Sequence, residues 1–321
     1  MRELCAMKYQ QWTTNPIRFL AMTGYTIEQF DQLLPFFVEA HDTYFQRFHL
    51  DSSPRSGARR FVLYQNAALP THTERLVFIL SYLKLNPLQE DHADRFGLQQ
   101  KQANEFIHGL KPVLQDALQL AQAMPAQTDQ ELQICLQEQA LAGPIIVIQD
   151  ATERDVPRPI DKDDQKAAYS GKKKRHTAKN AFIINTLSII LFLGSTVVGS
   201  VHDKKLADTQ YNLDGVDELW QDTGYQGYCP KGVTLYQPIK KPRGGELSEA
   251  QKAYNKAVSR VRVQVEHVIG SCKRYRIVGD VCRLRKEGFV NTVLHVCAGL
   301  HNFRVTRNPV QYPNYPKPKL T

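Results

Sequence analysis

The chain has 321 residues, of which 42% are hydrophobic and 23% charged. That is enough apolar content for a large core and enough length for two domains, and it excludes a disordered chain. Lys and Arg outnumber Asp and Glu by 41 to 32, a net charge of +9, and the pI is near 9.2; the excess favours a polyanionic partner, nucleic acid first.

The predicted elements begin with a helix over Ile27 to Phe37, apolar at helical spacing and preceded by Thr26 as a cap. Ser52 to Arg60 is a basic loop with Pro54 and Gly57. A strong helical stretch follows at Thr73 to Lys84, with Thr73 in the capping position and Pro87 as a breaker. Leu88 to Arg95 reads as a short helix, Phe96-Gly97-Leu98 as a turn and Gln99 to Leu110 as a further helix. Helix, short Gly-containing turn and helix is the outline of a helix-turn-helix. Its second helix would present Gln99, Gln100, Lys101, Asn104 and His108, side chains able to bond base edges or phosphates. A plain three-helix packing unit has the same outline. Residues 111–142 continue as Gln-rich helix broken at Met124-Pro125, a connection between two domains.

Beyond that connection the pattern turns to short β-rich runs. Gly143-Pro144 precedes four β-branched residues, Ile145 to Ile148, and Asp150 follows them. This reads as a buried strand that delivers a carboxylate to its end. The basic run Lys172-Lys173-Lys174-Arg175 lies downstream in a polar segment. Residues 180–202 contain no Asp, Glu, Lys or Arg, but Asn185, Thr186, Ser188 and Gly194-Ser195-Thr196 divide them into short strands rather than a membrane span. Strands are expected near Ala178 to Ile184, Leu187 to Gly194 and Thr196 to Val201, then a helix over Lys204 to Gly215. Glu218 to Asp222 is another short strand ending in a carboxylate, before Gly224-Tyr225-Gln226-Gly227, and Thr234 to Ile239 is a last strand. A helix runs from Ser248 to about Lys273, and residues 306–321 form a Pro-rich tail.

Three acids stand out. Asp150 and Asp222 each end an apolar strand, and Glu266 lies on the helix that also carries Arg262 and Lys273, four residues before it and seven after, on one face. Two strand-end aspartates and a helical glutamate can hold two divalent ions, and hard oxygen ligands select Mg²⁺ or Mn²⁺. Arg262 and Lys273 would bind phosphates that approach those ions, and Lys172 to Arg175 would position the polyanion's backbone. Asp161, Asp163, Asp164, Asp203 and Asp208 are read as solvated or capping acids. The six cysteines show no C-x-x-C spacing and read as reduced thiols of a cytosolic protein. Cys272, Cys282, His295, Cys297 and His301 fit no common zinc pattern.

The motifs Gln149-Asp150-Ala-Thr-Glu153, Ser170 to Thr177, Asp222-Thr223-Gly224-Tyr225-Gln226-Gly227 and Arg262 through Glu266 to Lys273 together resemble the DDE transposases of bacterial insertion sequences, of the insertion-sequence-five type. The resemblance implies an all-α helix-turn-helix domain followed by an α/β, RNase H-like catalytic domain, a mixed sheet flanked by helices. It implies metal-dependent DNA strand cleavage and strand transfer with Asp150, Asp222 and Glu266 as catalytic metal ligands. Relatives carry a Tyr, Arg, Glu, Lys signature; Arg262, Glu266 and Lys273 match it, and Ser259 stands at the Tyr position. The expected organisation is a helical DNA-binding domain over 1–122, a connection over 123–142, a catalytic domain over 143–305 and the tail. Expected partners are double-stranded DNA and a second copy of the chain, with no membrane, in the bacterial cytoplasm at the nucleoid. A DNA-binding relative without catalysis and a repair or recombination nuclease of the same fold are the alternatives.

Overall fold

The computed structural model describes residues 9–56, 61–281, 283 and 288–309. By contacts the chain divides into two units: residues 1–124 with 273–280 and 292–307, and residues 125–272 with 281–291 and 308–321. The basic loop at 52–60 is described only to residue 56, and the Pro-rich tail beyond 309 lies outside the described residues.

The first unit is helical: α1 (Tyr9–Thr13), α2 (Pro16–Thr23), α3 (Ile27–Arg47), α4 (His72–Leu85), α5 (Gln89–Phe96) and α6 (Gln100–Leu120). Thr26 caps α3 as expected, with Gln29 returning the bond to the Thr26 backbone. The cap of α4 is Thr71, not Thr73. The Thr71 hydroxyl accepts from the Glu74 amide at 3.1 Å while the Glu74 carboxylate accepts from the Thr71 amide at 3.2 Å. A reciprocal box needs an acid or amide three residues on, and only Thr71 has one. Arg75 to Leu83 are all buried, so α4 is the unit's central helix. Gly97, in the left-handed conformation at φ 65°, ends α5 and turns the chain into α6. The second helix of this pair continues ten residues past Leu110, through Pro112.

The second unit begins with α7 (Asp129–Ala140) and holds β1 (Ile146–Asp155), α8 (Lys162–Ala168), β2 (Tyr169–Ser170), β3 (Arg175–Asn185), β4 (Ile190–Leu193), β5 (Val197–Val198), α9 (Asp203–Gln210), β6 (Glu218–Trp220), β7 (Thr234–Tyr236) and α10 (Glu249–Lys273). After it come α11 (Arg276–Gly279) and α12 (Phe289–Arg307). The sheet runs β2-β3-β1-β6-β7, with β4 and β5 also paired to β3. Pairs on the β3 side are antiparallel, whereas β1–β6 and β6–β7 are parallel. An antiparallel meander followed by two parallel additions beside the first strand is the RNase H-like arrangement. β1 extends five residues beyond Asp150 because Ala151 to Asp155 pair with Thr177 to Ala181 of β3. One face of the sheet packs Val147, Ala181, Ile183 and Leu219 with Leu132, Leu136, Phe192, Ala207 and Tyr225 in a closed apolar core.

Residues 273–305 were expected within the catalytic domain. In the structure 273–280 and most of α12 pack with the helical unit, where the Tyr25 hydroxyl donates to the Leu300 carbonyl at 2.7 Å and Phe36 meets Phe303 edge-on. Among the described residues no helix is long and apolar enough to cross a membrane; residues 180–202 form β3, β4 and β5 with their turns instead.

Candidate active site

The β1–β6 ladder pairs Ile146 with Glu218, Val147 with Leu219 and Ile148 with Trp220, and stops there. Asp150 and Asp222 each lie two residues past that last pair, so the pleat brings them level at the same end of the sheet. The residues before them fasten this register: Gln149 and Gln221 are fully buried, and the Gln149 amide donates to the Gln221 side-chain oxygen at 2.5 Å. The Tyr211 hydroxyl donates to Gln149 at 2.7 Å, and Gln221 donates onward to the Tyr228 carbonyl at 3.2 Å.

Beyond Trp220 the chain makes a 3₁₀ turn over Thr223–Tyr225 with Asp222 as its cap, the carboxylate accepting from the Gly224 amide. Tyr225, wholly buried, anchors the turn, and the Gln237 side chain donates to the Asp222 carbonyl at 2.6 Å. Asp150 Oδ1 accepts from the Ala151 amide at 2.8 Å.

Arg262 of α10 reaches between the two acids. Its Nη2 lies 3.7 Å from Asp150 Oδ2 and 3.9 Å from Asp222 Oδ2. The guanidinium is buried on the stripe of Tyr254, Val258, Val265 and Ile269, whereas Glu266, one turn further on, faces solvent. The shared face expected for Arg262 and Glu266 is therefore divided between core and surface, and Arg262, expected on phosphate, is turned to the aspartates. Among the described residues the oxygens of Asp150, Asp222 and Glu266 do not all lie within 4.8 Å of one another. Lys273 is the last residue of α10 and partly buried. Burial pushes the Asp150 carboxyl up to about 6; the Arg262 charge and the Ala151 amide oppose this, and the charges of Asp222 and Asp203 add to it. Excess negative charge on a set of hard oxygen donors fits a divalent Mg²⁺ or Mn²⁺ ion.

Asp203, set aside from the sequence, belongs to the same neighbourhood. It opens α9, and its Oδ1 accepts from Lys179 Nζ of β3 at 2.9 Å. Lys179 also donates to the Val201 carbonyl at 2.7 Å and lies 3.9 Å from Glu153 Oε1, while the Thr177 hydroxyl donates to Glu153 at 2.8 Å. The run Gly199-Ser200-Val201-His202-Asp203, an acid at a helix start after an apolar strand region, is the signal that pointed there.

The remaining expected site residues lie elsewhere. Lys172, Lys173 and Lys174 form the exposed tip of the β2–β3 hairpin, with Lys174 left-handed at φ 56° and its amide donating to the Ser170 carbonyl at 2.8 Å. Arg175 pairs with Asp155 at 2.7 Å while staying largely exposed. In the helical unit Gln99, Gln100 and Lys101 are exposed at the start of α6, Asn104 is half-buried, and Gln100 donates to Gln89 at 3.3 Å. Among the described residues the one His/Cys/Asp/Glu group compact enough for a single ion is His41, Asp42 and His72, also in the helical unit. It is already saturated: Arg75 Nη1 lies 2.7 Å from His41 Nε2, which leaves Nδ1 to carry the proton toward Asp42 Oδ1 at 3.0 Å.

Residues 149–302 match a family described as DDE superfamily endonuclease. The chain is 34% identical over 162 residues to the probable transposase for insertion sequence element IS702 of Microchaete diplosiphon, covering 50% of this chain and 57% of that protein. It is 22% identical over 245 residues to a candidate transposase for insertion sequence element IS112 of Streptomyces albus G, covering 73% and 80%. The chain thus spans little more than half the length of the first relative. No solved structure matches.

Proposed function

We infer that this chain, which carries a DDE superfamily endonuclease domain, is a transposase that cuts DNA strands at the ends of an insertion sequence and joins them to target DNA. The observation carrying this is the level placement of Asp150 and Asp222 past the last β1–β6 pair, with Arg262 between them. A protein that only bound DNA would gain nothing from setting Asp150 where burial makes its charge costly, beside a second aspartate. Two Mg²⁺ ions, or Mn²⁺ in their place, would be held by Asp150, Asp222 and Glu266. When bound they supply activation of a water or 3′-hydroxyl and stabilisation of the leaving oxygen.

The chain's own residues prepare that chemistry. The Gln149–Gln221 bond holds the two aspartates in register. Arg262 keeps them from repelling one another before the ions arrive. Glu266 faces solvent on α10, so its ligation requires a side-chain or helix adjustment on loading. Lys172, Lys173, Lys174 and Arg175 project from the β2–β3 hairpin to hold phosphates, Lys273 adds a further phosphate contact, and the start of α6, with Gln99, Gln100, Lys101 and Asn104, reads the element's ends. Double-stranded DNA is the substrate, and a homodimer would bring two ends together at the nucleoid.

The test is strand cleavage on DNA carrying the sequences that flank the gene. Asp150→Ala, Asp222→Ala and Glu266→Ala should each abolish cleavage in Mg²⁺ while retaining DNA binding. The triple change Lys172→Ala, Lys173→Ala, Lys174→Ala should weaken DNA binding in a salt-dependent way. Cleavage by Asp150→Ala or Asp222→Ala at the parental rate would overturn the reading; cleavage by Glu266→Ala would remove that residue from the site.

A further inference from the structure

We propose that Asp203 is a further carboxylate of the metal centre, sharing an ion with Asp222 across the backbone of Gly224. The proposal deepens the metal-dependent reading above and rests on it. A Cβ placed on Gly224 would lie 2.5 Å from Asp203 Oδ2 and 2.8 Å from Asp222 Oδ1. The two oxygens therefore flank one small space, which glycine keeps open. Asp203 is oriented for this role by its other oxygen, which Lys179 fixes at 2.9 Å. Lys179 is itself buried and tied to the Val201 carbonyl, so the direction of Asp203 Oδ2 is set by the sheet and not by solvent.

A cluster of acids alone would not require an ion, because an internal cation can balance it. Arg262 is the cation available beside Asp222. It is nine-tenths buried, its Nε has no hydrogen-bond partner, and its Nη2 stops at 3.7 and 3.9 Å from Asp150 and Asp222, beyond hydrogen-bonding distance. A guanidinium aimed at two carboxylates and bonded to neither leaves room between them. Asp203 Oδ2, beside Gly224 and the other oxygen of Asp222, adds a further negative charge to the same carboxylate. Hard, charged oxygens gathered with only the Gly224 amide and the unbonded Arg262 beside them suit a divalent ion.

The experiment measures Mn²⁺ binding to the full chain by calorimetry, without DNA. Asp203→Asn keeps the shape of the side chain and an acceptor for Lys179, so its fold is checked by melting without metal. It should weaken Mn²⁺ binding at least about ten-fold, as should Asp222→Asn. Asp208→Asn, on the same helix but paired with Lys204 at 2.5 Å, should stay within two-fold of the parent. In cleavage, Asp203→Asn should need more Mn²⁺ without needing more DNA. Parental Mn²⁺ affinity in Asp203→Asn, with Asp222→Asn weakened, overturns the proposal and leaves the metal-dependent reading standing. Parental affinity in both overturns that reading as well. If Asp203→Asn fails to fold, the double change Lys179→Met, Asp203→Asn removes the ion pair as a unit; weakened binding there supports the proposal and parental binding overturns it.

Discussion

Replacing Asp150 by Asn should destroy catalysis and, in the absence of metal, stabilise the protein. Its carboxyl titrates at 3.8 in an unfolded chain and is pushed up to about 6 in the fold, chiefly by burial. At pH 7.5 the folded chain must hold that group ionised against its surroundings. At about 1.4 kcal/mol per pH unit the difference amounts to about 3 kcal/mol of lost stability. Because the folded value is raised, the folded state binds more protons than the unfolded one between pH 3.8 and 6. The penalty is therefore complete above about pH 6 and is relieved as pH falls toward 3.8. The attraction to Arg262 is already contained in that folded value, and Asn at 150 keeps the acceptor for the Ala151 amide, so the expected net gain is roughly 1–3 kcal/mol. For a unit of this size that is roughly 3–10 °C in Tm. The assay is denaturant unfolding in EDTA at pH 7.5 and pH 5, repeated with Mn²⁺. Asp150→Asn should be the more stable at pH 7.5, lose about half of its advantage at pH 5, and gain less from Mn²⁺ than the parent. An advantage that did not depend on pH, or none at all, would refute the claim that this acid is held ionised at a cost.

The Gln149–Gln221 bond gives a second prediction: Gln221→Leu leaves a buried amide donor on Gln149 without its acceptor, which should cost about 1–3 kcal/mol. Because it loosens the register of the two aspartates, cleavage should fall more than DNA affinity; equal losses in the two assays would argue against a register role. A third prediction concerns acid. Burial lowers His41 from 6.5 to about 4, so the unfolded chain takes up the proton first and stability of the helical unit should fall by about 3 kcal/mol as pH drops from 6.5 to 4. His41→Gln should flatten that part of the pH profile, and an unchanged slope would assign the acid sensitivity to other groups.

Much of the second unit is legible from its residues because apolar runs there are short and sharply bounded. Ile145 to Ile148 and Glu218 to Trp220 could be recognised as strands that end in acids. Their relative placement could not, since a parallel ladder between segments 72 residues apart, as Val147 to Leu219, leaves no local trace. The extension of β1 through Ala151 to Asp155 was hidden for the same reason: those polar residues are held by pairing with β3, not by their own propensity. The spacing of Arg262 to Glu266 alone leaves out the apolar stripe on which Arg262 sits. Tyr254, Val258, Val265 and Ile269 are buried on either side of it, a period readable in the sequence, and a cation in the middle of such a stripe must find acids inside. α12 escaped assignment because the apolar residues of Phe289 to Val305 are spread around the helix, which marks burial without naming the neighbour.

On the proposed reading, the charges gathered at the sheet's end would decide the order in which metal and DNA enter. Asp150, Asp222, Asp203 and Glu153 are four carboxylates sharing two cations, Arg262 and Lys179. The surplus is two negative charges before Glu266 is counted. Both cations are buried, and Lys179 is anchored by Asp203 and the Val201 carbonyl, so neither is presented to an arriving phosphate. A DNA strand arriving at the bare centre would face repulsion there, whatever attraction Lys172 to Lys174 exert from the exposed hairpin. One divalent ion would remove the surplus and a second would make the centre attractive to a phosphate. On the proposed reading metal would therefore precede the scissile phosphate, and the basic hairpin would hold DNA beside the centre meanwhile.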